Sequence, residues 1–318
     1  MPELYLPTPG HHGRGTLAAI ERVMDQVISS HVTVLTGVAN GKYPHGNSMI
    51  ISGTEGVVLI DPSLSVSERG GAGRSVDRVL VSHAHEDHMA GLHLFPHARV
   101  HAHHDDVLGV HSLDGLMTVY GLPHEAEIEF RQTVATDFHY SARPDAIGFS
   151  DGEVFDLGDT AVRVIHLSGH TRGHSGFFVE GDGVFFVGDI DLTGFGPYYG
   201  DHWSSLSDFE AAIERVRHIE AKFYVTFHQK GVIEGQPLFN EMLDSFASII
   251  GKRESAMLTF LAEPHTLDDM VAHRFVYRPG AEGVFFDSVE RRTASLHLQR
   301  LLPTGAVIEI EPGLYRAG

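Results

Sequence analysis

From Arg78 to His88 the chain passes through the strand-like run Arg78-Val79-Leu80-Val81-Ser82 straight into His83-Ala84-His85-Glu86-Asp87-His88. Such a run is a buried strand, and its end is where polar side chains can surface together on one edge of a sheet. His83 and His85 are separated by one residue, so at a strand end both rings can point the same way, toward one ion. Asp87 and His88 follow where the chain reads as the start of a helix over 87–94, with Asp87 near its first turn, and can face a second ion. A merely exposed histidine-rich loop is the plain alternative. It is disfavoured because three more such residues sit at strand ends: His170 in LSGHTRGHSG, Asp189 after VFFVG and His228 after FYVTF. Strand-end loops of a sandwich converge on one edge, and packing alone gives no reason for this recurrence.

Composition narrows the chemistry. The 318 residues include 24 histidines and no cysteine, which leaves imidazole and carboxylate as metal ligands and removes disulfides, thiolate-held metals and a cysteine nucleophile. The formal charge of −19 repels polyanions and weakens a nucleic-acid reading. No apolar run is long enough to span a bilayer. The first residues, MPELYLPTPGHHGRG, lack a charged segment followed by an apolar one, so the expectation is a cytoplasmic chain without a signal peptide. His11 and His12 read as part of a polar N-terminal segment.

Along the chain, 31–37, 47–53, 56–63 and 78–82 read as strands, with Gly53-Thr54-Glu55-Gly56 as a hairpin turn. Residues 103–145 are polar and helical in pieces, and read as an insertion, within which 137–144 is a candidate lid. His101, His103 and His104 are expected in surface or local helix roles rather than in a third metal site. Strand character returns between 153 and 189. A helix follows at 208–220, with Ser207 and Glu210 spaced as a capping box, and then the strand 223–228. Beyond residue 236 the pattern turns helical, with a capping box at Thr266 and Asp269, an amphipathic stretch at 291–302 and a hairpin at 306–315. The fold expected is α+β: a four-layer αββα sandwich over residues 1–235, followed by a small helical, winged-helix-like module over 236–318.

Other polar residues near the motifs take supporting roles. His174 shares a loop with His170 and is expected to orient a ligand rather than bind metal. Asp191 rivals Asp189 for a position between two ions; alternation along a strand cannot choose, and the strand-then-Gly-Asp pattern favours Asp189. In the loop GFGPYYGDHW, Tyr198, Tyr199 and Trp203 are candidates for a substrate-pocket wall.

These motifs resemble those of the metallo-β-lactamase superfamily, matched from Asp61 through His228 over roughly residues 30–235. The resemblance implies that His83, His85 and His170 hold one metal, that Asp87, His88 and His228 hold another, and that Asp189 bridges them. It also implies a structural role for Asp61 and a catalytic one for Asp87. The cofactors expected are two divalent ions, Zn²⁺ first, with Mn²⁺ or Fe²⁺ compatible with the carboxylates. Such ions, ~3.5–4 Å apart, lower the pKa of a shared water from ~15.7 toward ~7, so that a metal-bridging hydroxide attacks without a separate base.

Departures from the family's branches narrow the activity. Asp189 and the absent leader argue against secreted β-lactamases, His85 against flavodiiron proteins, and the lack of a large inserted domain against β-CASP ribonucleases. Glyoxalase II-like thioesterases and lactonases keep the full ligand set, although no tyrosine follows Asp189 in the lactonase manner. The partner expected is a small-molecule ester, thioester or lactone, with homo-oligomerisation left open. An endoribonuclease, revived by a basic stripe through Arg291, Arg292 and Arg300, and a mononuclear iron enzyme like the persulfide dioxygenases are the alternatives.

Overall fold

Alternating burial along single strands builds two sheets that share one core. In the computed structural model, which describes residues 25–318, the first sheet has seven strands in chain order. They are β1 (Gln26–Val27), β2 (Val32–Leu35), β3 (Ser48–Gly53), β4 (Gly56–Ile60), β5 (Arg78–Leu80), β6 (Arg99–His103) and β7 (Ile147–Phe149). The pairing is antiparallel through β4 and parallel from β4 to β7. The second sheet holds β8 (Val154–Asp156), β9 (Ala161–His166), β10 (Ser175–Glu180), β11 (Val184–Phe186), β12 (Phe223–Val225) and β13 (Val232–Glu234), again in sequence order. Only β11 and β12 pair in parallel there.

Side chains of successive strand residues point to opposite faces. Met49 and Ile51 of β3, Val58 and Ile60 of β4, and Val184 and Phe186 of β11 therefore meet in the layer between the sheets. Ile50 and Leu59 face outward, under α1 (Leu64–Glu68), α2 (Glu86–Met89), α3 (Val107–His111), α4 (Leu113–Tyr120) and α5 (His124–Thr136). On the far side Phe185 and Tyr224 lie under α6 (Leu206–Arg217) and the first half of α7 (Gln236–Phe260). The expected αββα layering is what the chain forms. Strands of both sheets end on one edge, where the loops after β5, β9, β11 and β12 carry the histidines and aspartates.

The C-terminal elements are α7, β14 (His265–Thr266), α8 (Leu267–His273), α9 (Phe286–Leu301), β15 (Val307–Glu311) and β16 (Leu314–Ala317), with a small sheet in the order β14-β16-β15. Residue 236 is not a packing boundary. Phe239, Leu243, Phe246 and Ile250 of α7 belong to the sandwich, with Phe239 stacked on Tyr224 at 3.8 Å, whereas Met257 joins the tail's own core. One rigid helix thus ties the tail to the second sheet. No helix among the described residues is long and apolar enough to cross a membrane.

Several local expectations need correction. The cap of α6 is Ser205, which accepts from the Asp208 N–H, two residues before the expected Ser207. The capping box at Thr266 and Asp269 is present. His101 and His103 are buried within β6 rather than exposed after it. Segment 137–144 is no lid: Phe138 packs with Leu64 and Ala90, and buried Arg143 donates to the Phe95 and Ala98 carbonyls at 3.2 and 2.7 Å. His11 and His12 lie outside the described residues.

Candidate metal centre

The seven residues singled out as ligands meet in two adjoining groups: His83, His85, His170 and Asp189, then Asp87, His88 and His228. In the first, Nε2 of His83, Nδ1 of His85 and Nε2 of His170 form a triangle with sides of 3.0, 3.1 and 3.1 Å. Ligand nitrogens around a tetrahedral ion with ~2.0–2.1 Å bonds stand roughly 3.3 Å apart, so the triangle is close to that of a metal face. In the second, His228 Nε2 lies 3.1 Å from Asp87 Oδ2. Asp189 faces both groups, with Oδ1 3.1 Å from His88 Nε2 and Oδ2 3.4 Å from His170 Nε2.

The other nitrogen is hydrogen-bonded elsewhere in four of the five rings, and in His85 it faces a carboxylate, which aims the remaining one inward. Ser82 Oγ donates to Asp61 Oδ2 at 2.5 Å, so at 3.0 Å it can accept from His83 Nδ1. Asp61 also accepts from the Ser82 N–H at 2.6 Å and stands 2.8 Å from His88 Nδ1. His170 Nδ1 donates to the Tyr198 carbonyl at 2.9 Å and His228 Nδ1 to that of Gly41 at 2.8 Å, while His85 Nε2 stands 2.9 Å from Asp201 Oδ2. His174 supports rather than joins the groups: Nδ1 donates to the Leu167 carbonyl, and Nε2 accepts the Asp189 N–H at 3.0 Å. Gly188 makes that last contact possible. Its φ is +56°, and a Cβ there would lie 2.5 Å from His174 Nε2.

The electrostatics suit cations. Burial, and then the rings of His88 and His85, hold His83 well below the ordinary imidazole range; burial and His85 do the same to His170. Burial also opposes charging of His88 and His228, yet Asp189 and Asp87 override it, lifting His88 well up and His228 to about 9. Asp189 is held well below the usual carboxylate range against its burial by His88 and His228. Asp87 Oδ2, His88 Nε2 and Asp189 Oδ1 are buried without a hydrogen bond. That condition is costly, and a divalent cation coordinated by these atoms relieves it. The donor set therefore fits the expected metals.

The model of the family described as "Metallo-beta-lactamase superfamily" matches residues 43–228, more than half of the chain, including every residue of both groups. The chain belongs to the metallo-β-lactamase superfamily. An acyl-coenzyme A thioesterase of Bos taurus is 27% identical over 192 residues, covering 54% of this chain and 66% of that protein. A hydroxyacylglutathione hydrolase of Maricaulis maris is 30% identical over 108 residues, 32% of this chain and 42% of that one. The chain thus spans less than two thirds of the length of either relative. Among solved structures, a metallo-β-lactamase family protein from Thermus thermophilus superimposes with a TM-score of 0.67 at 21% identity, covering 92% of this chain and all of that one. That likeness shows the fold.

A cavity of about 170 Å³ opens onto the two groups of this superfamily member, lined by His85, Asp87, His170, Asp189 and His228 at its floor. Of the three aromatic residues expected in its wall, only Tyr198 is there. Tyr199 is buried in the core with its hydroxyl 3.0 Å from His297 Nε2, and Trp203 packs in the layer over the first sheet with Arg172 across its face at 4.7 Å. Between them Asp201 turns toward His85. Asp191 does line the cavity; burial, with Asp189 beside it, raises it to about 6, and its Oδ1 accepts from the Thr193 N–H.

Glu86, Tyr43, Tyr120 and Asp106 also serve the site, although no motif in the sequence marks them. Glu86, between two proposed ligands, is buried and receives the hydroxyls of Tyr43, at 3.0 Å, and of Tyr120. Asp106 staples the two ligand loops, accepting from Ala84 N–H at 3.1 Å, Thr171 Oγ1 at 2.5 Å and Gly173 N–H at 2.7 Å. The signal available was modest: both carboxylates stand close in sequence to histidines.

A third group, His103, Asp105 and His166, fails as a metal site. Its two rings stack at 4.0 Å with planes only 7° apart, so one ion cannot lie in both ring planes, where the nitrogen lone pairs point. The basic stripe also dissolves. Arg291 pairs with Asp268 at 2.6 Å, Arg292 donates to the carbonyls of Asp201 and Ser204, and Arg300 pairs with Glu210.

Proposed function

We propose that this chain is a metal-dependent hydrolase of a small ester, thioester or lactone. His83, His85 and His170 would hold one divalent ion and Asp87, His88 and His228 a second, with Asp189 shared. The observation that carries the reading is the Asp189 carboxylate, whose two oxygens face different donor groups at the floor of one cavity. Zn²⁺ suits the imidazole-rich first group best, and the carboxylates of the second are compatible with Mn²⁺ or Fe²⁺. When bound, such ions supply an acidified water and positive charge for a developing oxyanion.

The chain's own residues do the rest. Water adds to the acyl carbon, the bond from that carbon to oxygen or sulfur breaks, and the products are an acid and an alcohol or thiol. Asp87, a would-be ligand at the cavity floor, is placed to orient the attacking water beside the acyl carbon. Asp201, Asp61 and the Tyr198 and Gly41 carbonyls keep the rings from turning during the reaction. Two of the similar proteins are named for acyl-coenzyme A thioester and hydroxyacylglutathione hydrolysis, which supports the acyl class.

The test is a panel of esters, thioesters, lactones and phosphodiesters, assayed with the protein as purified, after chelation and after metal return. Chelator-sensitive acyl hydrolysis restored by metal is expected. Preferential phosphodiester cleavage, or persulfide oxygenation with one iron per chain, would displace this reading.

A further inference from the structure

The wall of the cavity above the metal-facing residues is a continuous aromatic band. Phe130 of α5 meets Phe285 at 5.8 Å between ring centroids, Phe285 meets Phe286 at 5.5 Å, and Phe286 stacks on Tyr277 at 3.8 Å. Tyr277 then meets Phe195 at 6.0 Å, and Phe195 stacks with Tyr198 at 6.5 Å, beside His170. All six rings line the cavity. Three of them come from residues 277–286, the segment from the end of α8 to the first residue of α9, so the C-terminal elements complete the wall that the sandwich leaves open.

The polar side of the lining is equally one-sided. Among the described residues it carries the carboxylates of Glu86, Asp87, Asp189 and Asp191 and no lysine or arginine. Beyond the metal-facing residues the lining offers no cation to pair with a phosphate or carboxylate, and an anionic group would meet like charge in a low-dielectric pocket. Thiol carriers such as coenzyme A and glutathione are anionic, so the part of the substrate that enters this cavity is the other part, the acyl chain.

We propose that the aromatic band is an acyl-chain subsite, completed by Tyr277, Phe285 and Phe286, that selects an uncharged apolar chain on the acyl side of the scissile bond. This rests on the acyl-hydrolase reading above. Burial of each methylene against the rings should strengthen binding about fourfold.

The subsite can be tested without turnover, using methyl ketones, which keep the carbonyl and the chain but have no leaving group. Calorimetric titration of the purified protein should show 2-octanone, four methylenes longer, binding about 250-fold tighter than 2-butanone. 7-Oxooctanoate, with a carboxylate at the chain end, should lose most of that gain. Phe285→Ser should flatten the ketone series. Should that variant fold poorly, the ketone series on the unaltered protein decides alone. Equal affinity across the series, or 7-oxooctanoate binding as tightly as 2-octanone, would overturn the proposal. A steep series together with no cleavage of any ester or thioester would keep the subsite and sink the hydrolase reading instead.

Discussion

Arg292 on α9 reaches the carbonyls of Asp201 and Ser204 at 3.2 and 2.8 Å, and through them the C-terminal elements grip the loop that orients two proposed metal ligands. Asp201 faces His85 Nε2 at 2.9 Å, and Ser204 Oγ donates to the His170 carbonyl at 2.7 Å. The tail is thus wired to the first donor group as well as to the cavity wall. Asp201→Asn should keep the fold and weaken metal binding by roughly 10–100-fold, the usual cost of losing a ligand's supporting partner. Competition with a chromophoric chelator reads this directly, and unchanged affinity would detach the loop from the site.

Asp106 gives a stability prediction. Asp106→Ala strips acceptors from the Ala84 and Gly173 N–H groups and the Thr171 hydroxyl, all buried. An unsatisfied buried donor costs about 1–3 kcal/mol, so the variant should lose roughly 3 kcal/mol or more in denaturant unfolding. A loss below about 1 kcal/mol would mean that the ligand loops are held together by other contacts.

His31 predicts a pH dependence away from the site. It lies 3.0 Å from Asp182 and 3.4 Å from Asp159, and the hydrogen bond with Asp182 and the charges of both raise its pKa. A group raised on folding contributes stability that is complete below its unfolded value, about 6.5, and is lost as pH climbs through the folded value. His31→Asn should therefore be more destabilising near pH 5.5 than near pH 8, by paired denaturant melts at about those values. An equal effect at both would show that the ring acts only by packing.

Asp189 and Asp191 separate bridging from support. Asp189 lies within reach of both groups, whereas Asp191 accepts from the Thr193 N–H at 2.9 Å. Asp189→Ala should lose one ion and most activity, while Asp191→Ala should keep both ions and lose less. The reverse ranking, with both variants folded, would move the bridge to Asp191.

The site was legible to the degree that its residues sit at strand ends. His83, His85, His170, Asp189 and His228 each follow an apolar run, so periodicity located them and the sandwich brought them together. What stayed hidden depends on where loops turn after leaving the sheet. Tyr198, Tyr199 and Trp203 looked equivalent in sequence, yet the loop's path brings one to the cavity and leaves two in the core. Asp106 was invisible for the same reason, since its partners lie 22 to 67 residues away. The break at residue 236 marks a change of composition, not of packing, because one helix serves both cores.

If two ions act together across Asp189, activity must follow the number of ions bound. Elemental analysis of the purified protein, titrated with Zn²⁺ while acyl hydrolysis is followed, should show activity rising until close to two ions are bound per chain and falling to nothing on chelation. Full activity at one ion per chain, with the second adding nothing, would contradict it.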